Sequence, residues 1–256
     1  MIKAAFFDID GTLLSFKTHR VSEGTIRAFD KLHRAGVRTF ISTGRPMVII
    51  PDMPVSFDGY ITMNGGYVFT TDNEVLRANH IPQEDTGRWL SYAQENNVCT
   101  MLFTADSMMA AQVNDVGVAL RDQLGFEMPP VVTIDDMRGI KAYQLIAIMP
   151  PSADAHVAGL MPHCRLPRWC DVFTDIVAAG NSKASGMEAI CRRFGIRQED
   201  TIAFGDGGND VEMLHWAGIG VAMGNAADEV KQSADMVTLD VDSEGIEHAV
   251  NKILDR

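Results

Sequence analysis

Apolar and polar positions fall along this chain in blocks of two different periods. An apolar run over residues 4–9 has the length of a strand and leads into Gly11. After it, Ile26, Phe29 and Leu32 recur at helical spacing, with Ser22 placed as an N-cap and Gly36 placed to end the helix. Further buried strands are expected over 37–41 and 60–63. Near residue 181 the pattern returns: Met187, Ile190, Cys191 and Phe194 make an i, i+3, i+4, i+7 stripe, closed by Gly195. Strands over 201–204, 219–222 and 236–239 then alternate with helices over 210–217, near Asp228, and from Ser243 onward. Apolar strands alternating with amphipathic helices predict a parallel sheet covered on both faces.

The middle of the chain reads differently. Helices are expected near 84–96 and 113–124, and strand-like runs at 98–104, 142–149 and 168–177. The expected class is therefore α/β: a Rossmann-like parallel-sheet core built from 1–79 and 180–256, with an α+β module inserted at 80–179. No repeat of fixed period and no low-complexity linker interrupts it.

Bulk properties narrow the chemistry. A chain of 256 residues can bury a sizeable core, and 46% apolar with 22% charged residues is ordinary for a soluble globular protein. The net charge of -12 comes with no cluster of Lys or Arg, so nucleic acid is not an expected partner. That field repels anions at long range, so a phosphate site here needs a local cation. The N-terminus lacks a basic, apolar and cleavable leader, and no apolar run nears the ~18 residues of a membrane helix. Cys99, Cys164, Cys170 and Cys191 form no C-x-x-C pair. They read as reduced thiols of a cytoplasmic protein.

Four segments carry candidate chemistry. In Phe6-Phe7-Asp8-Ile9-Asp10-Gly11-Thr12-Leu13, two carboxylates project to one side where a buried strand ends. Two like charges that close call for a cation or a proton between them. Strand carboxyl ends are where open α/β sheets place ligands. An EF-hand reading fails, because Gly11 follows the second Asp directly. In Ser42-Thr43-Gly44-Arg45-Pro46, a hydroxyl and a glycine amide can take phosphate oxygens, and Pro46 suits the start of a short helix. In Asn181-Ser182-Lys183, Ser182 is a natural N-cap and Lys183 falls in the first helical turn, where a cation opposes the macrodipole unless an anion is bound. In Gly205-Asp206-Gly207-Gly208-Asn209-Asp210, clustered Asp and Asn suit oxygen coordination of a hard cation such as Mg2+. Asp210 stands where a dinucleotide fingerprint would need its last glycine.

In order and type, these segments resemble the haloacid dehalogenase superfamily. The insertion is similar to the class IIB cap of the Cof-type sugar phosphatases, as are Thr62-Met63-Asn64-Gly65-Gly66 and Ala222-Met223-Gly224-Asn225-Ala226. The resemblance implies a Mg2+-dependent phosphatase of small phosphorylated metabolites. It makes Asp8 the nucleophile and Asp10 the general acid and base. It puts the metal on Asp8, the Asp10 backbone carbonyl and Asp206, with Asp210 behind them. It gives the phosphoryl oxygens to Thr43, the Gly44 amide, Lys183 and Asn209. Some relatives carry Ala at the position of Ser42, so the hydroxyl contact goes to Thr43. Arg45, Arg168 and Trp169 are the candidate substrate contacts, the last two on the inserted module, which would select substrate. A hexose phosphomutase and a receiver-like phospho-aspartate signalling domain use the same residue types and stay open as alternatives.

Overall fold

The computed structural model describes residues 1–124, 127–168 and 170–255. The first strand, β1 (Ala4–Phe7), is buried along its whole length, as a strand covered on both faces must be. Helix α1 (Glu23–Arg34) starts where Ser22 Oγ accepts from the Thr25 amide at 3.1 Å. It stops before Gly36, whose φ of 73° is costly for other residues. Strands β2 (Arg38–Ser42) and β3 (Gly59–Thr62) follow, then a hairpin absent from the sequence reading: β4 (Tyr67–Thr70) and β5 (Val75–Ala78). The hairpin turns through Asn73, which adopts φ 61°.

The chain then builds α2 (Gln83–Glu95), β6 (Thr100–Phe103), β7 (Met108–Ala111), α3 (Asp115–Leu124), α4 (Ile134–Met137), β8 (Gln144–Ala147), α5 (Asp154–Leu160), β9 (Cys164–Arg165) and β10 (Thr174–Ala178). Its five strands form an antiparallel sheet in the order β7-β6-β8-β10-β9. Leu102, Leu145 and Ile176 lie in register across it and pack with Trp89, Met137 and Val157 from α2, α4 and α5. Residues 78–181 form one compact unit, which also takes in Arg45–Ile50. The strand expected over 168–177 is shorter at its start. Arg168 donates to the carbonyls of Cys170 and Phe173, and the chain curls around its guanidinium before β10 begins.

After the insertion come α6 (Lys183–Phe194), β11 (Thr201–Gly205), α7 (Val211–Trp216), β12 (Ile219–Ala222), α8 (Asp228–Gln232), β13 (Met236–Val237) and α9 (Gly245–Leu254). They complete an eight-stranded sheet, ordered β13-β12-β11-β1-β2-β3-β4-β5; from β13 to β3 neighbouring strands run parallel, and β4 pairs antiparallel with β3. Alternate residues feed two cores. Phe6, Phe40 and Ala203 pack with Met187 and Ile190 of α6 and Leu214 of α7. Phe7, Ile202 and Phe204 pack with Phe29 and Leu32 of α1 and Ile246 and Val250 of α9. Each of the large side chains among them contributes about 1.5–3 kcal/mol by leaving water. This is the α/β, Rossmann-like class. Strand β1 lies between β11 and β2, with Phe7 opposite both Phe204 and Ile41, so three candidate segments leave the sheet side by side.

Candidate active site

Asp8 is the first residue past β1, and its amide still donates to the Phe204 carbonyl at 3.0 Å. The chain then turns at once. The amides of Leu13 and Leu14 donate to the Ile9 carbonyl at 3.0 and 2.8 Å, and the Gly11 amide donates to Leu14 at 2.9 Å. Gly11 has φ 80°, and a Cβ there would run into the Asp206 carboxylate and the Phe16 ring. Only glycine satisfies both the backbone and the space.

Lys183 opens α6, whose N-cap Ser182 Oγ accepts from the Ser185 amide at 3.2 Å. Its side chain is 0% exposed. Nζ donates to Asp8 Oδ1 and to Asp210 Oδ1, each at 2.5 Å. Asp210 Oδ2 accepts from the amides of Asp206 and Gly207 at 3.0 and 2.8 Å. Asp206 Oδ1 accepts from the Thr12 hydroxyl at 2.8 Å, and Oδ2 accepts from Asn225 Nδ2 at 3.2 Å. One carboxylate oxygen from each of Asp8, Asp206 and Asp210 falls within 4.8 Å of the others.

Negative charge is in excess here. Burial, then Asp210, Asp206 and Asp10, push the Asp8 carboxyl well above its usual range, and Lys183 only partly opposes them. Burial and Asp210 push Asp206 up to about 7 against the Thr12 hydrogen bond. Burial alone would lower Lys183, but Asp210 and Asp8 outweigh it and raise its pKa.

The phosphate-side candidates are tied together by amides. Buried Thr43 donates its N–H to Ile61 at 2.8 Å, and its carbonyl accepts from the Asn64 N–H at 3.0 Å. Asn64 sits at φ 51°, with its side-chain amide beside Gly44, and Oδ1 accepts from Asn209 Nδ2 at 3.0 Å. Ser42 Oγ is buried with no hydrogen-bond partner among the described residues. Thr12, Asn64 and Asn225 also bond into this cluster and are not among the candidates named from the sequence. All three lie inside segments that the sequence reading quoted, but their contacts bridge residues far apart in the chain.

The outlying candidates differ. Arg168 is tied into its own unit: Nε and Nη2 hold both oxygens of Asp154 at 2.8 and 2.6 Å. Its remaining donors go to the carbonyls of Cys170, Phe173 and Met149. A guanidinium has five N–H donors. All five are engaged, so Arg168 braces its own loop. Arg45 groups with the inserted unit and donates to the Ile49 carbonyl at 2.9 Å. Trp169 lies outside the described residues.

A sequence profile described as haloacid dehalogenase-like hydrolase matches residues 5–250. The chain belongs to this family. The HAD subclass IIB sugar phosphatase BT4131 is 37% identical to it, with a TM-score of 0.91 and 98% of each chain covered. The phosphatase BT1666 from Bacteroides thetaiotaomicron is 35% identical, with a TM-score of 0.92, over 98% of this chain and 95% of that one. The 5-amino-6-(5-phospho-D-ribitylamino)uracil phosphatase YitU of Bacillus subtilis is 30% identical over 265 residues, 93% of each chain. This haloacid dehalogenase-like hydrolase is a phosphatase. Among its described residues, no helix is long and apolar enough to cross a membrane.

The donor set of this hydrolase fits a hard divalent cation. The cluster is all carboxylate, the chemistry that oxygen-seeking cations select. Asp210 places one oxygen on Lys183 and the other on two amides, so it also orients the loop that carries Asp206.

Proposed function

We propose that the chain is a Mg2+-dependent phosphatase of small phosphorylated metabolites, with sugar phosphates as its substrate class, acting through an aspartyl-phosphate on Asp8. The observation that carries this reading is the buried Asp8–Lys183–Asp210 link beside Asp206 at the ends of β1 and β11. The Asp8 carboxylate attacks phosphorus, and the bond to the leaving alcohol breaks as Asp10 hands that oxygen its proton. In the second step Asp10 takes a proton from water. The water oxygen attacks the phosphoryl group, and Asp8 departs as a carboxylate with inorganic phosphate.

Lys183, the Thr43 hydroxyl, the Gly44 amide and Asn209 hold the phosphoryl oxygens in line, since such transfers depend on alignment and charge neutralisation. Asp8, the Asp10 carbonyl and Asp206 would hold Mg2+, which when bound supplies the positive charge that offsets the surplus of carboxylates. The inserted unit is proposed to select the substrate. The names of two relatives support the substrate class: a sugar phosphatase, and an enzyme for a phosphorylated ribityl chain. Both describe phosphate on a polyhydroxylated carbon chain.

The test is a screen of sugar and polyol phosphates with Mg2+, reading inorganic phosphate and sugar isomers separately. Free phosphate from the wild type, and more than about 10⁴-fold loss of kcat in Asp8→Asn with the fold intact, are expected. An active Asp8→Asn variant removes Asp8 from the nucleophile role. An isomer in place of phosphate makes the enzyme a mutase.

A further inference from the structure

Asn225 belongs to neither the nucleophile nor the phosphate segments, yet it touches Asp206 and the Gly11 turn that directly follows Asp10. It follows β12, 214 residues away from Gly11 in sequence. Nδ2 donates to the Gly11 carbonyl at 2.9 Å and to Asp206 Oδ2 at 3.2 Å, and Oδ1 accepts from the Val241 amide at 2.9 Å. A side-chain amide offers two N–H donors and one carbonyl oxygen. Here each is used, and the two donors reach different segments.

The placement is built. The Met223 amide donates to the Gly205 carbonyl at 3.0 Å, tying this loop to the strand that delivers Asp206. The Gly224 amide donates to Leu239 at 3.0 Å, and a Cβ on Gly224 would stand 2.6 Å from the Asp240 amide nitrogen. Glycine lets the loop press against residues 239–240 and aim the next side chain at Gly11.

Two donors thus hold Asp206 from opposite sides, the Thr12 hydroxyl on Oδ1 and Asn225 on Oδ2. The same amide steadies the Gly11–Thr12 peptide, whose N–H makes only a long 3.4 Å bond to Ile9. The amide is also neutral, whereas an Asp in its place would add one more carboxylate to a cluster already short of positive charge. Asn225 is itself exposed, so its hydrogen bonds compete with water and add little to the stability of the fold.

The geometry points to Asn225 as a positioning residue for the cation: it fixes the Asp206 carboxylate and the Gly11 turn in the orientation that Mg2+ needs. This rests on the metal reading above. Partners that orient metal ligands are typically worth about 10–100-fold in metal affinity or activity.

The experiment is calorimetric titration of Mg2+ into the metal-free full chain, beside its thermal unfolding. Wild type, Asn225→Ala and Asn225→Gln are compared. Asn225→Ala is expected to bind Mg2+ about 10-fold more weakly. Its metal-free midpoint should stay within about 2 °C of wild type, less than 1 kcal/mol costs a domain of this size. Asn225→Gln, which keeps the amide, should recover part of the affinity. An unchanged dissociation constant in Asn225→Ala overturns the assignment. So does a midpoint drop beyond about 5 °C, because the residue would then be holding the fold. If the wild type takes up no Mg2+, the metal reading falls first and this inference falls with it.

Discussion

Two buried carboxylates, one in each unit of the chain, are pushed in opposite directions. Asp85, in the first turn of α2, is 0% exposed. Burial pushes its pKa up, but the His163 side chain and amide, Arg88 and the Cys164 thiol outweigh that and hold it below the usual range. The His163 amide and Nδ1 lie at 2.9 and 3.2 Å, the Cys164 thiol at 3.6 Å, and Arg88 closes the ring. Asp8 is 7% exposed and shares the Lys183 ammonium with Asp210, while Asp206 and Asp10 crowd it. Its pKa goes up. Burial is common to both, so the difference lies in the donors. Asp85 brings enough of them to finish its own site, and Asp8 sits in a cluster that the protein alone does not neutralise.

Removing one charge from each site should sharpen this contrast most. Lys183→Met leaves Asp8 and Asp210 facing each other in a buried space. The expected loss is about 10²–10³-fold in kcat. The metal-free protein should also lose about 3–5 kcal/mol, the cost of stranding buried charge. Added Mg2+ should restore part of the stability and little of the rate. At the other site, Asp85→Asn keeps the shape and removes the charge. It should cost about 1–3 kcal/mol. Mg2+ should not restore that loss, and kcat should not change. Denaturant unfolding with and without Mg2+, beside steady-state rates, measures all four quantities. A Mg2+-dependent stability in Asp85→Asn would erase the contrast.

Proton linkage gives a smaller effect of the same kind. Asp206 is raised to about 7 in the folded chain, against an unfolded value near 3.8. The folded state therefore holds the proton more tightly. This contribution is full below about pH 4 and is lost as pH rises through about 7. Asp8 acts with the same sign. Asp85 acts with the opposite sign: its contribution is present above its unfolded pKa and is lost on acidification. The metal-free chain should thus lose stability between pH 4 and 7, and saturating Mg2+ should flatten that slope by taking over from the protons. Thermal midpoints across that range, with and without Mg2+, test it. A flat metal-free profile would mean that the carboxylates at the end of β1 are not in surplus.

The core around this cluster is largely legible in the sequence. Its information is local: four apolar residues bury β1, and Ser22 and Ser182 carry their helix starts in their own hydroxyls. Asp8, Asp206 and Lys183 were legible because strand ends and helix starts deliver them, and the sheet order then fixes who meets whom. Asn225, Asn64 and Thr12 were not, since each acts through a contact between segments and nothing in its own neighbourhood announces that contact. Of the hairpin absent from the sequence reading, only the edge strand β5, with no buried residue, carries a weak apolar signal; Tyr67-Val68-Phe69-Thr70 of β4 has ordinary strand composition. Arg168 shows what the sequence leaves out. A cation beside an aromatic residue reads as a ligand site, but its five donors are spent on Asp154 and three carbonyls.

Ser42 offers the smallest and most discriminating test. Like Asp8 it is a buried polar residue at a strand end, but its Oγ has no partner among the described residues. A hydroxyl buried in that way costs about 1–3 kcal/mol relative to water. Ser42→Ala removes the hydroxyl and leaves a hole of only one atom, so it should stabilise the chain by about 1 kcal/mol, a midpoint rise of roughly 2–4 °C. Turnover should be unaffected if the phosphoryl contact belongs to Thr43, the next residue along. Thr43→Ala should instead lower kcat/KM without that rise. If Ser42→Ala loses turnover and gains no stability, its hydroxyl is reserved for the phosphoryl group. Ser42 would then join Asp8 as a buried group left for the substrate to complete.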